Sequence, residues 1–119
     1  AKLVYGEVLP EAERAALREW MIATRTGMRR VRAGLPEGWI AGDKTGTSLW
    51  TGQPSFYVDI GFAEAPEGAA PVTFASYFVA RSEHQDMDPA AEAALARVAD
   101  VIRAFVKRDE GLPLVGRLY

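Results

Sequence analysis

Apolar residues recur with two different periods along this 119-residue chain. From Glu11 to Arg25, Leu17, Trp20, Met21 and Thr24 fall at helical spacing beside Glu13, Arg14, Arg18 and Glu19, which predicts an amphipathic helix. Pro10 suits its first turn, and Gly27 stands where the chain would leave it. Met28 to Pro36 reads as an irregular basic connector. Gly38 to Ser48 reads as extended, and Phe56 to Ala63 as a strand with Phe56, Val58, Ile60 and Phe62 on one face. Pro66 to Pro71 makes a turn. From Val72 to Ala80 both alternating sets are apolar, which predicts a central or doubly covered strand. Asp88 then caps a helix whose first position is Pro89. Leu95, Val98, Ala99, Ile102, Phe105 and Val106 form its apolar stripe, and Gly111 and Pro113 end it. Arg103, Lys107 and Arg108 stand on its far face and in its last turn, where positive charge complements the helix dipole.

The order is helix, strand, strand, strand, helix. The links between strands are too short for parallel crossovers, so the pattern predicts an α+β fold: an antiparallel sheet of about three strands flanked by an N-terminal and a C-terminal helix. No internal repeat, linker or low-complexity stretch divides residues 1–119, which read as a single segment. A mass of 13.0 kDa fits one small core.

Composition narrows the function classes. Hydrophobic residues make up 49% and charged residues 25%, a balance that favours a packed soluble protein over a disordered one. The net charge of −2 gives no bulk attraction to nucleic acid or to a membrane surface. There is no cysteine, which removes disulfides and thiolate metal sites and leaves the compartment open. No apolar run approaches the roughly 20 residues of a membrane span, so no membrane insertion is expected. The first residues lack the basic-then-apolar form of a secretion signal.

The chemistry concentrates in Gly42-Asp43-Lys44-Thr45-Gly46-Thr47-Ser48. Lys44 offers a positive charge, Thr45 and Thr47 offer hydroxyl donors, and Gly46 removes a side chain where a ligand must approach, a combination suited to an anionic group. Strict alternation puts Lys44 and Gly46 on one face and Thr45 and Thr47 on the other, so all can serve one ligand only along the strand's edge. Taken alone, Lys-Thr-Gly is equally an ordinary exposed strand with a surface lysine.

With Arg30-Val31-Arg32-Ala33-Gly34-Leu35-Pro36 just upstream, this stretch resembles the third active-site motif of class A serine β-lactamases and their penicillin-binding relatives. The resemblance covers roughly residues 7 to 106 and implies the C-terminal part of that family's fold, in which further strands, an N-terminal helix and an all-helical domain come from elsewhere in the polypeptide. A sheet without those neighbours is expected to show an open edge and uncovered apolar faces. The chain holds no Ser-x-x-Lys and no Ser-Asp-Asn. A fragment, or one piece of a cleaved or split enzyme, is therefore expected, with the remaining N-terminal part as its partner.

The resemblance implies that Lys44, Thr45, Gly46 and Thr47 grip the carboxylate beside the β-lactam ring, and that the backbone N–H of Thr47 is one oxyanion-hole donor. The second donor would be the nucleophile's own amide. Arg30 stands where many class A enzymes place an arginine that adds a second positive charge near the substrate, with a milder effect on removal than Lys44. Arg32 is placed to pair with Asp43 in a buried ion pair of structural role. The implied activity is hydrolysis of the β-lactam amide bond in the periplasm or outside the cell, without cofactor or metal. The alternative is a non-catalytic module that binds a β-lactam or peptidoglycan-like ligand.

Other residues read more plainly. Arg25 and Arg29 fit a solvated basic patch, and the basic residues with their few aromatics form no nucleic-acid stacking pattern. His84, among Glu83, Asp86 and Asp88, lacks a defined metal-ligand spacing and reads as solvent-exposed. Asp59 resembles the second residue of the family's Asn-Asp pair, although Val58 precedes it. Trp50 to Ser55 lengthens the link before it, and Trp50 is either a stacking or a core-covering residue. Trp20 and Trp39 are expected in the core. Ser48, Ser55, Ser76 and Ser82 each lack a lysine three residues later, so none is assigned as nucleophile.

Overall fold

The structure, a computed structural model, describes residues 1–49 and 52–110. Helices α1 (Lys2–Tyr5), α2 (Glu11–Ala23) and α3 (Val31–Gly34) precede strands β1 (Ile40–Ser48), β2 (Phe56–Glu64) and β3 (Val72–Val79), and helices α4 (Pro89–Ala96) and α5 (Val98–Glu110) follow. The strands lie in the order β1-β2-β3 and are antiparallel throughout, the α+β arrangement that the periodicity predicts. Asp88 caps α4 by accepting the Ala90 N–H at 3.1 Å, with Pro89 in the first turn. Trp50, Gly111 and Pro113, named in the sequence reading, lie outside the described residues. Among those described, no helix is long and apolar enough to cross a membrane.

Several elements differ from the sequence pattern. Helix α2 ends at Ala23, because Thr24 turns to an extended conformation before the Arg25 boundary. The basic connector holds the single turn α3. The expected long C-terminal helix is two helices, and the break at Arg97 coincides with the crossing of α3: a Cβ on Gly34 would stand 2.3 Å from the Ala96 carbonyl oxygen. Strand β3 lies at the edge, not the centre, of this three-stranded sheet, because β2 takes the middle place.

The two faces of the sheet are covered unequally. Helices α3, α4 and α5 pack on the face that carries Tyr57, Asp59 and Ala63. There Val31, Ala63 and Ile102 form one buried cluster, and Tyr57, Ala91 and Leu95 another. On the opposite face α2 covers only the end near Gly42 and Phe62. A Cβ at Gly42 would meet the Phe62 ring at 2.6 Å and Met21 Cβ at 2.9 Å, so the small residue sets how closely α2 approaches. Tyr5 contacts Phe62 edge-on, and Arg18 lies over the same ring while pairing with Glu64. Beyond this patch Phe56, Ile60, Tyr77 and Val79 remain exposed. These residues form the uncovered apolar face expected of a sheet without its neighbours.

Trp20 is 71% exposed and not a core residue; it projects from α2 beside this open face. Trp39 is half-buried and packs against the Val31–Ala63–Ile102 cluster. Phe105, assigned to the apolar stripe of the last helix, is also exposed, while Ile102 and Val106 of that stripe are buried.

Candidate functional site

Strand β1 is the other edge of the sheet, and it carries the Lys44–Thr47 ribbon. In register with β2, Lys44 faces Ile60, Thr45 faces Asp59, Gly46 faces Val58 and Thr47 faces Tyr57. Alternation therefore sets Lys44 on the open apolar face and both threonines on the helix-packed face. Lys44 is exposed, its Nζ donates to the Thr45 carbonyl at 2.6 Å, and it lines a cleft of about 840 Å³ that also borders Leu17, Trp20, Met21 and Ile60. The Thr45 hydroxyl donates to Thr26 Oγ1 at 2.8 Å. Cation and hydroxyls leave the strand on opposite faces, so one ligand could reach them together only along its outer edge.

Behind the ribbon sits Arg30, 1% exposed. Its Nη1 donates to the Gly46 carbonyl at 3.0 Å and to the Val58 carbonyl at 2.6 Å, while Nη2 donates to Thr47 Oγ1 and contacts Met87 Sδ. Its Nε lies 3.6 Å from the buried carboxylate of Glu92, and the guanidinium stacks 5.5 Å above the Tyr57 ring. Every donor edge of Arg30 thus points at protein, and Thr47 is the ribbon side chain that it holds. Because Nη2 occupies a lone pair of Thr47 Oγ1, the hydroxyl proton is left to donate outward.

Arg32 reaches the other way. Its Nη2 donates to Asp43 Oδ1 at 2.6 Å and to the Met21 carbonyl at 2.9 Å, and its Nη1 donates to the Ile22 carbonyl at 3.0 Å. One guanidinium therefore ties the end of α2, the connector and β1 together. Burial pushes the Asp43 carboxyl above the usual carboxylate range, with Arg32 opposing the shift. Gly27 closes this pocket: a Cβ there would stand 1.5 Å from Asp43 Oδ2. Gly27→Ala is expected to push the Asp43 carboxylate off Arg32 and to lower stability by about 1–3 kcal/mol, read as a fall in the thermal unfolding midpoint. A midpoint equal to wild type would show that the pocket yields without cost.

Tyr57, Glu92 and Met87 belong to this site, and the sequence reading did not single them out. Glu92 sits on α4, and its only signal was an acid in the N-terminal half of a helix that also carries an apolar face. Tyr57 is fully buried, and its hydroxyl accepts the Asp88 N–H at 3.1 Å and is hydrogen-bonded to His84 Nδ1 at 2.7 Å. His84 is therefore half-buried and held, not a free loop residue, and its backbone N–H donates to Ser55 Oγ at 2.8 Å. Among the described residues no three His, Asp or Glu side chains converge as a metal ion would require. Arg25 and Arg29 are exposed.

Comparison with known proteins matches the sequence and the fold of this chain to one family. Residues 1–106 match the model of the Beta-lactamase enzyme family. Beta-lactamase FAR-1 of Nocardia farcinica is 42% identical over 104 residues, covering 87% of this chain and 30% of that protein. Carbapenem-hydrolyzing beta-lactamase KPC of Klebsiella oxytoca is 35% identical over 98 residues, or 82% of this chain and 32% of the relative. The crystal structure of a beta lactamase from Xanthomonas campestris superposes with a TM-score of 0.71 at 37% identity, covering 88% of this chain and 37% of that one. An ancestral class A β-lactamase gives 0.69 at 34%, again over 87% and 37%. The chain spans about a third of the length of the relatives it matches, and over nearly all of the described residues it belongs to the β-lactamase enzyme family.

Proposed function

We propose that this chain supplies the carboxylate-binding ribbon and one oxyanion-hole amide to a class A serine β-lactamase that hydrolyses the amide bond of β-lactam antibiotics. The observation that carries this is an exposed Lys44 on an edge strand, with two threonine hydroxyls at the same edge and a buried Arg30–Glu92 pair behind them. The Lys44 ammonium attracts the substrate carboxylate, and the Thr45 and Thr47 hydroxyls orient it. The Thr47 amide then faces the carbonyl oxygen as it gains charge. A donor of this kind acts mainly on the transition state and is worth roughly 3 kcal/mol.

The nucleophilic serine, its lysine and the glutamate that activates water belong to the remaining part of such an enzyme, which is the partner this chain requires. Its placement would be the periplasm or the cell exterior. Assayed alone, the chain is expected to leave a chromogenic cephalosporin intact, and turnover should appear when a Ser-x-x-Lys-bearing N-terminal part is supplied. Catalysis by the isolated chain that survives Ser48→Ala, Ser55→Ala and Ser76→Ala would overturn the assignment.

A second reading is favoured by the lack of any Ser-x-x-Lys in these residues: a non-catalytic module that binds a β-lactam or a peptidoglycan-like ligand. Saturable binding of a penicillin by the chain alone, with the ring left closed, would separate it from the first.

A further inference from the structure

Asp43 and Asp59 project from neighbouring strands onto the same face of the sheet. Asp43 is opposite Gly61 and Asp59 is opposite Thr45, so the two carboxyls are diagonal neighbours, and Gly61 interposes no side chain. Asp43 is 1% exposed and Asp59 0%. Each has one oxygen accounted for: Asp43 Oδ1 accepts from Arg32 at 2.6 Å, and Asp59 Oδ2 accepts from the Val31 N–H at 3.1 Å. The remaining oxygens, Asp43 Oδ2 and Asp59 Oδ1, are buried without a hydrogen-bond donor among the described residues, on side chains that the register sets side by side. Two ionised carboxylates so placed would repel and leave both oxygens unsatisfied. One proton between them removes both defects.

A count of charge leads to the same place. Beneath the ribbon lie two cations, Arg30 and Arg32, and three acids, Asp43, Asp59 and Glu92. With every acid ionised the layer would carry one excess negative charge out of water, which is costly. A single proton brings it to neutrality. We propose that Asp43 and Asp59 share one proton from mildly acid pH up to neutrality, and that this carboxyl–carboxylate pair is a clasp seating the Arg30–Arg32 connector against β1 and β2. The clasp acts at a distance from any ligand: Asp43 holds Arg32, and Asp59 holds the Val31 amide next to Arg30. Both are positioning residues. It is also independent of which ligand the ribbon takes.

The groups facing the pair leave few other sources for the missing hydrogen. Arg30 and Arg32 face it from the connector and α3. Glu92 of α4 reaches it only through Arg30, α2 offers Arg32 backbone carbonyls, and from β3 Ser76 Oγ donates to the Asp59 carbonyl at 2.9 Å, not to its carboxyl. Burial, and after it the Asp43 charge, push Asp59 up to about 7. The folded protein then holds a proton that the unfolded chain releases in the ordinary carboxylate range. The stabilisation is fully present below that range and is lost as pH rises toward and through about 7.

Carbon-13 labelling of the aspartate carboxyls in the complete protein, followed by NMR from mildly acid to mildly alkaline pH, tests the clasp. One carboxyl proton should leave with a midpoint near neutrality. In Asp59→Asn, whose amide N–H can stand in for the shared proton, that step should disappear and the decline of the unfolding midpoint with pH should flatten. A wild-type spectrum in which both carboxyls are fully ionised throughout the range would overturn the proposal, as would persistence of the step in Asp59→Asn. If the variant does not fold, the wild-type titration decides by itself.

Discussion

Lys44→Ala in the complete enzyme should lower kcat/KM for carboxylate-bearing β-lactams by roughly 10- to 150-fold, the equivalent of about 1.5–3 kcal/mol for one charge-assisted hydrogen bond. On the proposed role the ammonium would be used while substrate binds and still be needed as the ring is attacked, so both KM and the acylation rate should suffer. Lys44 is exposed and its only hydrogen-bond partner among the described residues is the neighbouring Thr45 carbonyl, so stability should hardly change. Lys44→Arg should recover part of the loss, since it keeps the charge with a different donor geometry. Steady-state kinetics against a substrate pair with and without the carboxylate would check this. Equal efficiency of wild type and Lys44→Ala toward the carboxylate-bearing member would remove the ribbon's assigned role.

The second large effect concerns folding. Arg30→Ala should destabilise the protein by about 3–5 kcal/mol, the usual consequence of removing one member of a buried ion pair. Glu92 would be left buried without its cation, and the Gly46 and Val58 carbonyls would each lose a donor. In a protein of more than 150 residues this corresponds to a fall in Tm of roughly 6–20 °C. The double variant Arg30→Ala/Glu92→Ala should lose less than the two single losses added, because the second change removes the stranded charge. From sequence, Arg30 is expected to act mildly and through its own charge near the substrate. Its burial revises this: the residue is first a structural anchor, and on the proposed function it would act on a ligand only by fixing the Thr47 hydroxyl. A Tm within about 2 °C of wild type, on the same scale, would contradict the anchoring role.

Much of the fold was legible because its elements are locally encoded. Period-two alternation in Phe56–Glu64 and the Asp88-Pro89 start of α4 need only neighbours a few residues away. The errors fall where distant packing decides. Trp20 belongs to an amphipathic pattern, yet the sheet region beneath its side of α2 is left uncovered by the described residues, so it stays exposed. The stripe from Leu95 to Val106 is continuous in sequence, but the helix breaks at Arg97, where Gly34 of α3 crosses close to Ala96. The two apolar sets of β3 read as a central or doubly covered strand, and among the described residues the strand has a partner on one side only and leaves one face exposed. Glu92 and Tyr57 carried no motif; only the closure of α4 over the sheet brings them to Arg30.

By itself the sequence determined the kinds of groups available and their order along the chain: Lys44, Thr45, Gly46 and Thr47 on one extended stretch, with arginines just before it. Charge, hydroxyl chemistry and strand alternation are properties of neighbouring residues and need no fold. The tertiary structure alone decided which charges face water and which are enclosed. It left Lys44 outside and sealed Arg30 against Glu92, and it buried Asp43 and Asp59 side by side on neighbouring strands. The reason is that desolvation is set by atoms arriving from remote segments, and a buried charge must find its counter-charge or its proton wherever those segments bring one.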